Sequence, residues 1–277
     1  MQNLTADQIA ALQALARQIR VDSVTMVHGA KSGHPGGPLG LADIFAYLFK
    51  HFLRYNATNP ESEDRDRFIL SNGHTCAVYY SAMARSGFFE ASELSTFRRL
   101  GSRLQGHPSP IYLPWLENSG GSLGQGLSFA VGSALAGRVR KADWRVVAGL
   151  SDGECQEGMT WEAAMAAAHY KLDNLIAFVD RNDIQIDGRT RDVMDVEPFM
   201  DKWMAFGWAV MEADGHNMAE IHTAFEWAKS IKGRPAMIIF NTVLGKGVSY
   251  MENQAAWHGK PPSDDQLKQA LQELSAA

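Results

Sequence analysis

Between Trp144 and Thr242 four short apolar stretches alternate with segments of helical periodicity, and this alternation narrows the possible folds more than any other feature of the chain. The stretches are 145–150, 175–180, 209–213 and 237–241, and the helical segments among them include 161–170 and 219–231. A further apolar stretch at 67–70, followed by a helical pattern over 78–85, reads as another strand–loop–helix unit. Strands joined by helical crossovers run parallel, and a parallel sheet is covered on both faces. The sequence therefore predicts an α/β fold, an open and mainly parallel sheet between helical layers. In such sheets ligands bind beyond the carboxyl ends of the strands, near a switch in strand order. The polar residues follow that rule: His74, Asp152, Asn182, Asp214 and His216 each come after a predicted strand.

The remainder of the chain frames this sheet. Thr5 and Gln8 form a capping-box pattern that opens an amphipathic helix ending near Gly29. Three glycines and two prolines between Lys31 and Pro38 predict an irregular, shaped loop, with a second helix over 41–52, another over 127–139 and a helical tail over 264–274. No linker or internal repeat interrupts the 277 residues, so residues 1–277 are expected to form one domain with a helical N-terminal segment and tail. Two cysteines, Cys76 and Cys155, with no C-x-x-C pair, leave no disulfide framework or cysteine zinc site and point to a reducing compartment, by default the cytoplasm. The N-terminus lacks the pattern of a signal peptide, and no apolar run is long enough to cross a bilayer, so no membrane partner is expected. A net charge of -5 without long basic blocks argues against nucleic-acid binding. The one basic cluster, Arg98, Arg99 and Arg103, reads as a solvated helix end.

Three groups of loop residues could carry chemistry. If strands 145–150 and 175–180 are neighbours, Asp152 and Asn182 emerge side by side. One carboxylate, one amide oxygen and a nearby carbonyl form a hard, oxygen-only donor set suited to Mg²⁺ or Ca²⁺, with positions left for phosphate oxygens. Gly153 would let the backbone approach that phosphate. The second group is the glycine-rich stretch from Asn118 to Gly126. Its Gly124-Gln125-Gly126 does not open from a hydrophobic strand, so a nicotinamide-binding fingerprint is rejected, and the glycines are read as a loop hugging a flat or anionic ligand. The third is a set of histidines beside glycines: His34, His74, His107 and His258. Their spacing matches no zinc motif, but imidazoles could hold a polyhydroxylated or phosphorylated substrate and move protons. His28, His51, His169, His216 and His222 have no such context and are read as surface or core.

Taken in order, Ser32-Gly33-His34-Pro35-Gly36, Leu70-Ser71-Asn72-Gly73-His74, Gly101-Ser102-Arg103 with Gly106-His107-Pro108, Gly121 to Gly126, Asp152-Gly153 with Gln156-Glu157-Gly158, and Asn182 through Gly188 resemble the amino-terminal, thiamine-diphosphate-binding half of transketolase. The resemblance implies that family's diphosphate-binding (PP-type) domain. It implies Asp152, Asn182 and the Ile184 carbonyl as metal ligands, and His74, Gly121, Ser122, Leu123, Gly153, Glu154, Asn182 and His258 around the cofactor. His34, His107 and His258 would surround the reacting carbon of a sugar, and Glu157 and Glu162 would link two active sites across a subunit contact. Ser122 stands where many relatives have proline. The resemblance also implies that the pyrimidine-binding domain is absent. The expected protein is thus one subunit of a split transketolase, paired as α2β2 with a separate C-terminal subunit, using thiamine diphosphate with Mg²⁺ or Ca²⁺ on sugars or sugar phosphates. Rival readings are a deoxyxylulose-phosphate synthase-like chain, a 2-oxo acid dehydrogenase α-like chain, or a non-catalytic binding module.

Overall fold

A computed structural model describes residues 3–276. Helix α1 (Ala6–Ala30) starts at the anticipated capping box: the Thr5 hydroxyl accepts from the Gln8 amide and the Gln8 side chain accepts from the Thr5 amide. Helix α2 (Gly36–Tyr47) ends in a wider turn at Leu48–Phe52. Then follow β1 (Arg67–Leu70), α3 (Cys76–Arg85), α4 (Gln125–Arg140), β2 (Val146–Ser151), α5 (Gly158–His169) and β3 (Leu175–Arg181). A small hairpin, β4 (Ile184–Gln185) and β5 (Gly188–Arg189), leads to α6 (Thr190–Val193) and α7 (Phe199–Ala205). The chain closes with β6 (Ala209–Asp214), α8 (Met218–Ser230), β7 (Ala236–Asn241) and α9 (Asp264–Ala276).

The expected α/β architecture is the one observed. Strands β1-β2-β3-β7-β6 form one sheet in that order, and every pair is parallel. Alternation along β3 assigns its two faces: Ile176 and Phe178 pack in a core with α1, α2, α3 and α8, whereas Leu175, Ala177 and Val179 join a second core with α4, α5 and α7. Register pairs Ser151 with Asp180 and Arg181 with Asn241, so the loops after β2, β3 and β7 leave the sheet at one level. The chain passes from β3 to the edge strand β6 before β7 returns between them, and that reversal opens a crevice at the carboxyl edge. No helix among the described residues is long and apolar enough to cross a membrane.

Two expectations are corrected. The segment from Lys31 to Pro38 is not wholly a loop, because α2 already begins at Gly36. Proline is tolerated in a first turn, where the amides lack intrahelical partners anyway. Glycines serve here for close packing rather than as breakers: a Cβ at Gly37 would lie 2.8 Å from Thr75 Cγ2, and one at Gly40 would lie 2.9 Å from the Val243 carbonyl. Nor do Arg98, Arg99 and Arg103 form a solvated helix end. The short 3-10 turn Ala91–Thr96 stops before them, Arg103 pairs with Glu93 at 2.6 Å, and Arg98 turns inward; only Arg99 is exposed.

Candidate functional site

A crevice of about 520 Å³ lies at the carboxyl edge of the sheet and collects residues from six separate loops. The loop after β1 contributes His74, the loop before α2 His34, and the loop after β2 Asp152, Gly153, Glu154 and Glu157. The loop after β3 contributes Asn182 and Ile184, and the segment after β7 Leu244 and His258. His107, Gly121 and Leu123 complete the wall. Every residue expected at the site therefore lines it, except Ser122, which is exposed. Glu162 is exposed on α5 and does not line the crevice. Asp214 and His216 follow β6 but take structural roles: Asp214 accepts from the His216 amide, and His216 lies between the Asp43 carboxylate and the Val243 amide, both at 2.9 Å.

The histidines converge although they lie far apart in sequence. The rings of His34 and His74 have centroids 5.1 Å apart, those of His34 and His258 5.6 Å, and those of His74 and His258 5.2 Å. His107 sits beside Gly121, where an added Cβ would meet its ring at 3.8 Å. Burial, followed by the neighbouring His258, Arg98 and His107, lowers the His34 pKa to about 4. Burial likewise lowers His74, His107 and His258, which favours the neutral form of each ring. Each ring then has one donor and one acceptor nitrogen. The Nδ1 atoms of His34 and His258 are buried without a partner among the described residues, a cost that a bound ligand's hydroxyls could remove.

Opposite them lies an acidic floor. Asp152, Glu154 and Asp180 are all essentially buried. Burial, reinforced by Asp180, raises Asp152 to about 7; burial raises Glu154 to about 7 and Asp180 to about 6, despite the hydrogen bonds they accept. Glu154 accepts from the Ser71 hydroxyl, from the Gly124 amide at 2.8 Å and from the Ser151 amide at 3.2 Å, tying the glycine loop to β1 and β2. Asp152 accepts from the Gly153 and Asp183 amides, both at 2.7 Å. The Asn182 amide nitrogen donates to Asp180 at 2.9 Å, which fixes its oxygen as an acceptor, used by the Ile184 amide at 3.0 Å.

Among the described residues no three His, Cys, Asp or Glu side chains are grouped to hold a metal ion. A cation here would rest on one carboxylate, the Asn182 oxygen and a backbone carbonyl, which fits Mg²⁺ or Ca²⁺ sharing its remaining positions with water and phosphate oxygens. Loops 71–75 and 118–123, which carry His74 and Gly121 into the crevice, touch so closely that a Cβ on Gly73 would lie 2.8 Å from Gly120 Cα. Sequence reasoning misses Thr75, Gln185 and Leu244 as lining residues, and reads Asp180 only as the end of a strand. An aspartate closing an otherwise apolar strand is the available signal for the last.

Fold and crevice together define an α/β chain with a histidine- and carboxylate-lined crevice at the carboxyl edge of a parallel sheet. The chain belongs to the transketolase family: the family model described as transketolase, thiamine diphosphate binding domain, matches residues 11–276. It is 40% identical over 268 residues to a subunit of the apulose-4-phosphate transketolase of Phocaeicola vulgatus, covering 97% of this chain and 95% of that protein. It is also 40% identical over 269 residues to the 6-deoxy-6-sulfo-D-fructose transketolase subunit SqwG of a Clostridium species, covering 97% and 98%. The transketolase of Rattus norvegicus is 38% identical over 268 residues, 96% of this chain but 42% of that protein. The crystal structure of transketolase from Campylobacter jejuni superimposes with a TM-score of 0.91 at 36% identity, over 96% of this chain and 43% of that one. The chain thus spans about two fifths of these longer transketolases and nearly all of the two subunits. These likenesses make it a transferase of the transketolase type with a thiamine-diphosphate-binding domain, and the transketolase reading holds over its rivals.

Proposed function

We propose that this chain is the thiamine-diphosphate-binding subunit of a transketolase completed by a separate chain carrying the pyrimidine-binding domain, two copies of each, and that residues 1–277 form one domain. The observation that carries the site assignment is the meeting of His34, His74 and His258 in the same crevice as Asp152 and Asn182. The near-complete coverage of two relatives named as transketolase subunits supports the divided arrangement. The reaction is transfer of a two-carbon ketol unit from a ketose to an aldose, and thiamine diphosphate supplies the carbanion chemistry when bound. Asp152, the Asn182 oxygen and the Ile184 carbonyl hold Mg²⁺ or Ca²⁺. Gly121, Leu123, Gly153, Glu154 and His74 enclose the cofactor, with Ser122 supporting that loop from outside. Neutral His34, His107 and His258 hold sugar hydroxyls and pass protons, and Glu157 lies at the edge where a second active site would be linked. The relatives' names, one a sugar phosphate and the other a sulfo-sugar, favour a donor or acceptor with an anionic distal group. Two unpaired, buried cysteines suit the cytoplasm.

The test is direct. The purified chain with ketose donor, aldose acceptor, thiamine diphosphate and Mg²⁺ should give no turnover, and adding the chain encoded beside it should give ketol transfer. Robust turnover by this chain alone would sink the two-chain arrangement, and decarboxylation of pyruvate by the pair would favour a different thiamine-diphosphate enzyme.

A further inference from the structure

Arg98 has no part in the proposed chemistry, yet it sits between two of the loops that build the crevice. Its Nη1 donates to Ser32 Oγ at 2.9 Å and its Nη2 to the Gly106 carbonyl at 3.0 Å. Ser32 lies two residues before His34, and Gly106 adjoins His107. We propose that Arg98 is a positioning residue: its guanidinium bridges the His34 loop to the His107 loop and sets the separation of the two imidazoles. The proposal rests on the assignment of those histidines to the sugar.

The surroundings are built for this bridge. Gly106 has no side chain where a Cβ would lie 2.9 Å from Arg98 Cζ, so the guanidinium lies flat against the backbone. On the other side a Cβ on Gly33 would lie 3.6 Å from Arg98 Nε, and Gly33 has φ +130°, so both neighbouring loops present bare backbone. Arg98 itself adopts φ 58°, a conformation that costs a non-glycine residue energy, and its amide donates to the Leu104 carbonyl at 2.9 Å. The His107 loop is also held from α3: the Tyr80 hydroxyl donates to the Gln105 carbonyl at 2.9 Å and the Cys76 thiol to that of Gly106 at 3.2 Å. No comparable side-chain hydrogen bond from α3 reaches Ser32 among the described residues, so the two-pronged contact of Arg98 is what links the loops. The cation beside them also helps keep His34 and His107 neutral, a secondary consequence of its position. Arginine suits the task because its planar fork can address two acceptors at once, whereas lysine presents a point charge.

Two substitutions separate this from a general structural role. Reacting groups displaced by about 1 Å lose on the order of 10²-fold in rate. In the complex of this chain with its partner, Arg98→Met should lower kcat/KM by about that factor while thiamine diphosphate binds within about twofold of wild type. Arg98→Lys should keep the charge and still leave at least about a tenfold loss, because one ammonium cannot hold both loops. A second readout needs no catalysis: in the isolated chain, hydrogen exchange of Arg98→Met should rise together in segments 31–36 and 104–108 and stay unchanged in β2. If lysine restores activity to within about twofold, charge alone suffices and the bridge is wrong. If only one loop loosens, or neither, the proposal is overturned. Absence of ketol transfer by the wild-type pair would instead count against the functional reading, with the exchange experiment still deciding the role of Arg98.

Discussion

Helix α4 contains three glycines whose replacement by alanine should have opposite consequences, and this provides a test of the packing that shapes the site. At Gly126 an added Cβ would fall 2.6 Å from Ser71 Cα, and it would also collide with the Ser71 side chain. Ordinary contact begins near 3.4 Å, so α4 or the end of β1 must move by most of an ångström. Ser71 cannot turn away freely, because its hydroxyl donates to Glu154 and accepts from the Gly126 amide at 3.1 Å. Overpacking of this kind costs about 1–3 kcal/mol, and the backbone contact places Gly126→Ala toward the upper end. Subtracting the few tenths that alanine gains in a first helical turn leaves about 2 kcal/mol of destabilisation, or roughly 5 °C in Tm for a chain of this size. At Gly132, in the middle of the same helix and exposed, a Cβ meets nothing within 4 Å. There Gly→Ala should stabilise by about 0.4–1 kcal/mol through the unfolded chain and the helix. Gly137 lies between the two, with a Cβ 2.7 Å from Trp144 Nε1. Thermal unfolding of the isolated chain reads the order Gly132→Ala, wild type, Gly137→Ala, Gly126→Ala from most to least stable. Calorimetric titration with thiamine diphosphate and Mg²⁺ should show weakened binding only for Gly126→Ala, whose loop carries the Gly124 amide on Glu154. A Gly126→Ala variant as stable as wild type would refute the reasoning that this glycine exists for close approach.

Two further outcomes are expected. The side chain of Asp66 is fully buried; it receives hydrogen bonds from Arg54 and Arg145 side chains and from the Arg54 and Arg145 amides at 3.0 and 2.9 Å. Burial pushes its pKa up, but the Arg145 hydrogen bonds and charge outweigh it, and the net shift is downward. A carboxylate depressed in the folded state stabilises above its unfolded pKa of about 3.9, and that stability is lost as pH falls through the folded value. Asp66→Asn should therefore cost about 2–3 kcal/mol at pH 7 in denaturant melts and flatten the loss of stability below about pH 4; an unchanged acid limb would reject the assignment. Asp152→Ala should leave far-UV circular dichroism intact but weaken Mg²⁺-dependent thiamine diphosphate binding by at least about 10²-fold, and binding at wild-type strength would remove Asp152 from the metal site.

The sheet is legible in the sequence because each strand is an apolar run stopped by a polar residue. The runs at 145–150, 175–180 and 237–241 differ from β2, β3 and β7 by a residue or less at either end. Most site residues are legible because histidine beside glycine and aspartate after a strand are local patterns. What escapes depends on contacts that composition cannot express. Gly36, Gly37 and Pro38 look like breakers, and only the proximity of Thr75 and Leu244 shows why a helix begins there. Arg98 looks like surface charge because Ser32 and Gly106 become neighbours only after folding. Leu244 carries no chemical signature and enters the crevice because the chain after β7 is held by the His216 contact to Val243.

The placement of buried charge supports the proposal of a cation in the crevice. Elsewhere in the core each buried carboxylate has its own arginine: Asp22 meets Arg85 at 2.8 Å, Asp43 meets Arg20, and Asp66 meets Arg54 and Arg145. Asp152, Glu154 and Asp180 are buried as deeply, yet among the described residues no lysine or arginine forms an ion pair with any of them. Asp152 and Glu154, pushed up to about 7, are only partly charged at neutral pH, and a diphosphate brought to the floor alone would meet the charge that remains or have to protonate it. At an effective dielectric constant near 20, a single unit charge about 4 Å away costs about 4 kcal/mol, close to a thousandfold in affinity. A divalent ion between carboxylate and diphosphate reverses the sign of that interaction, and the coupling is reciprocal, so the ion and the diphosphate tighten each other by the same factor. The histidine side needs no such partner, because burial favours the neutral form of its rings. Under the proposed function the crevice is divided by charge, with the acidic floor for a metal-bound diphosphate and the histidine wall for the hydroxyls of a sugar.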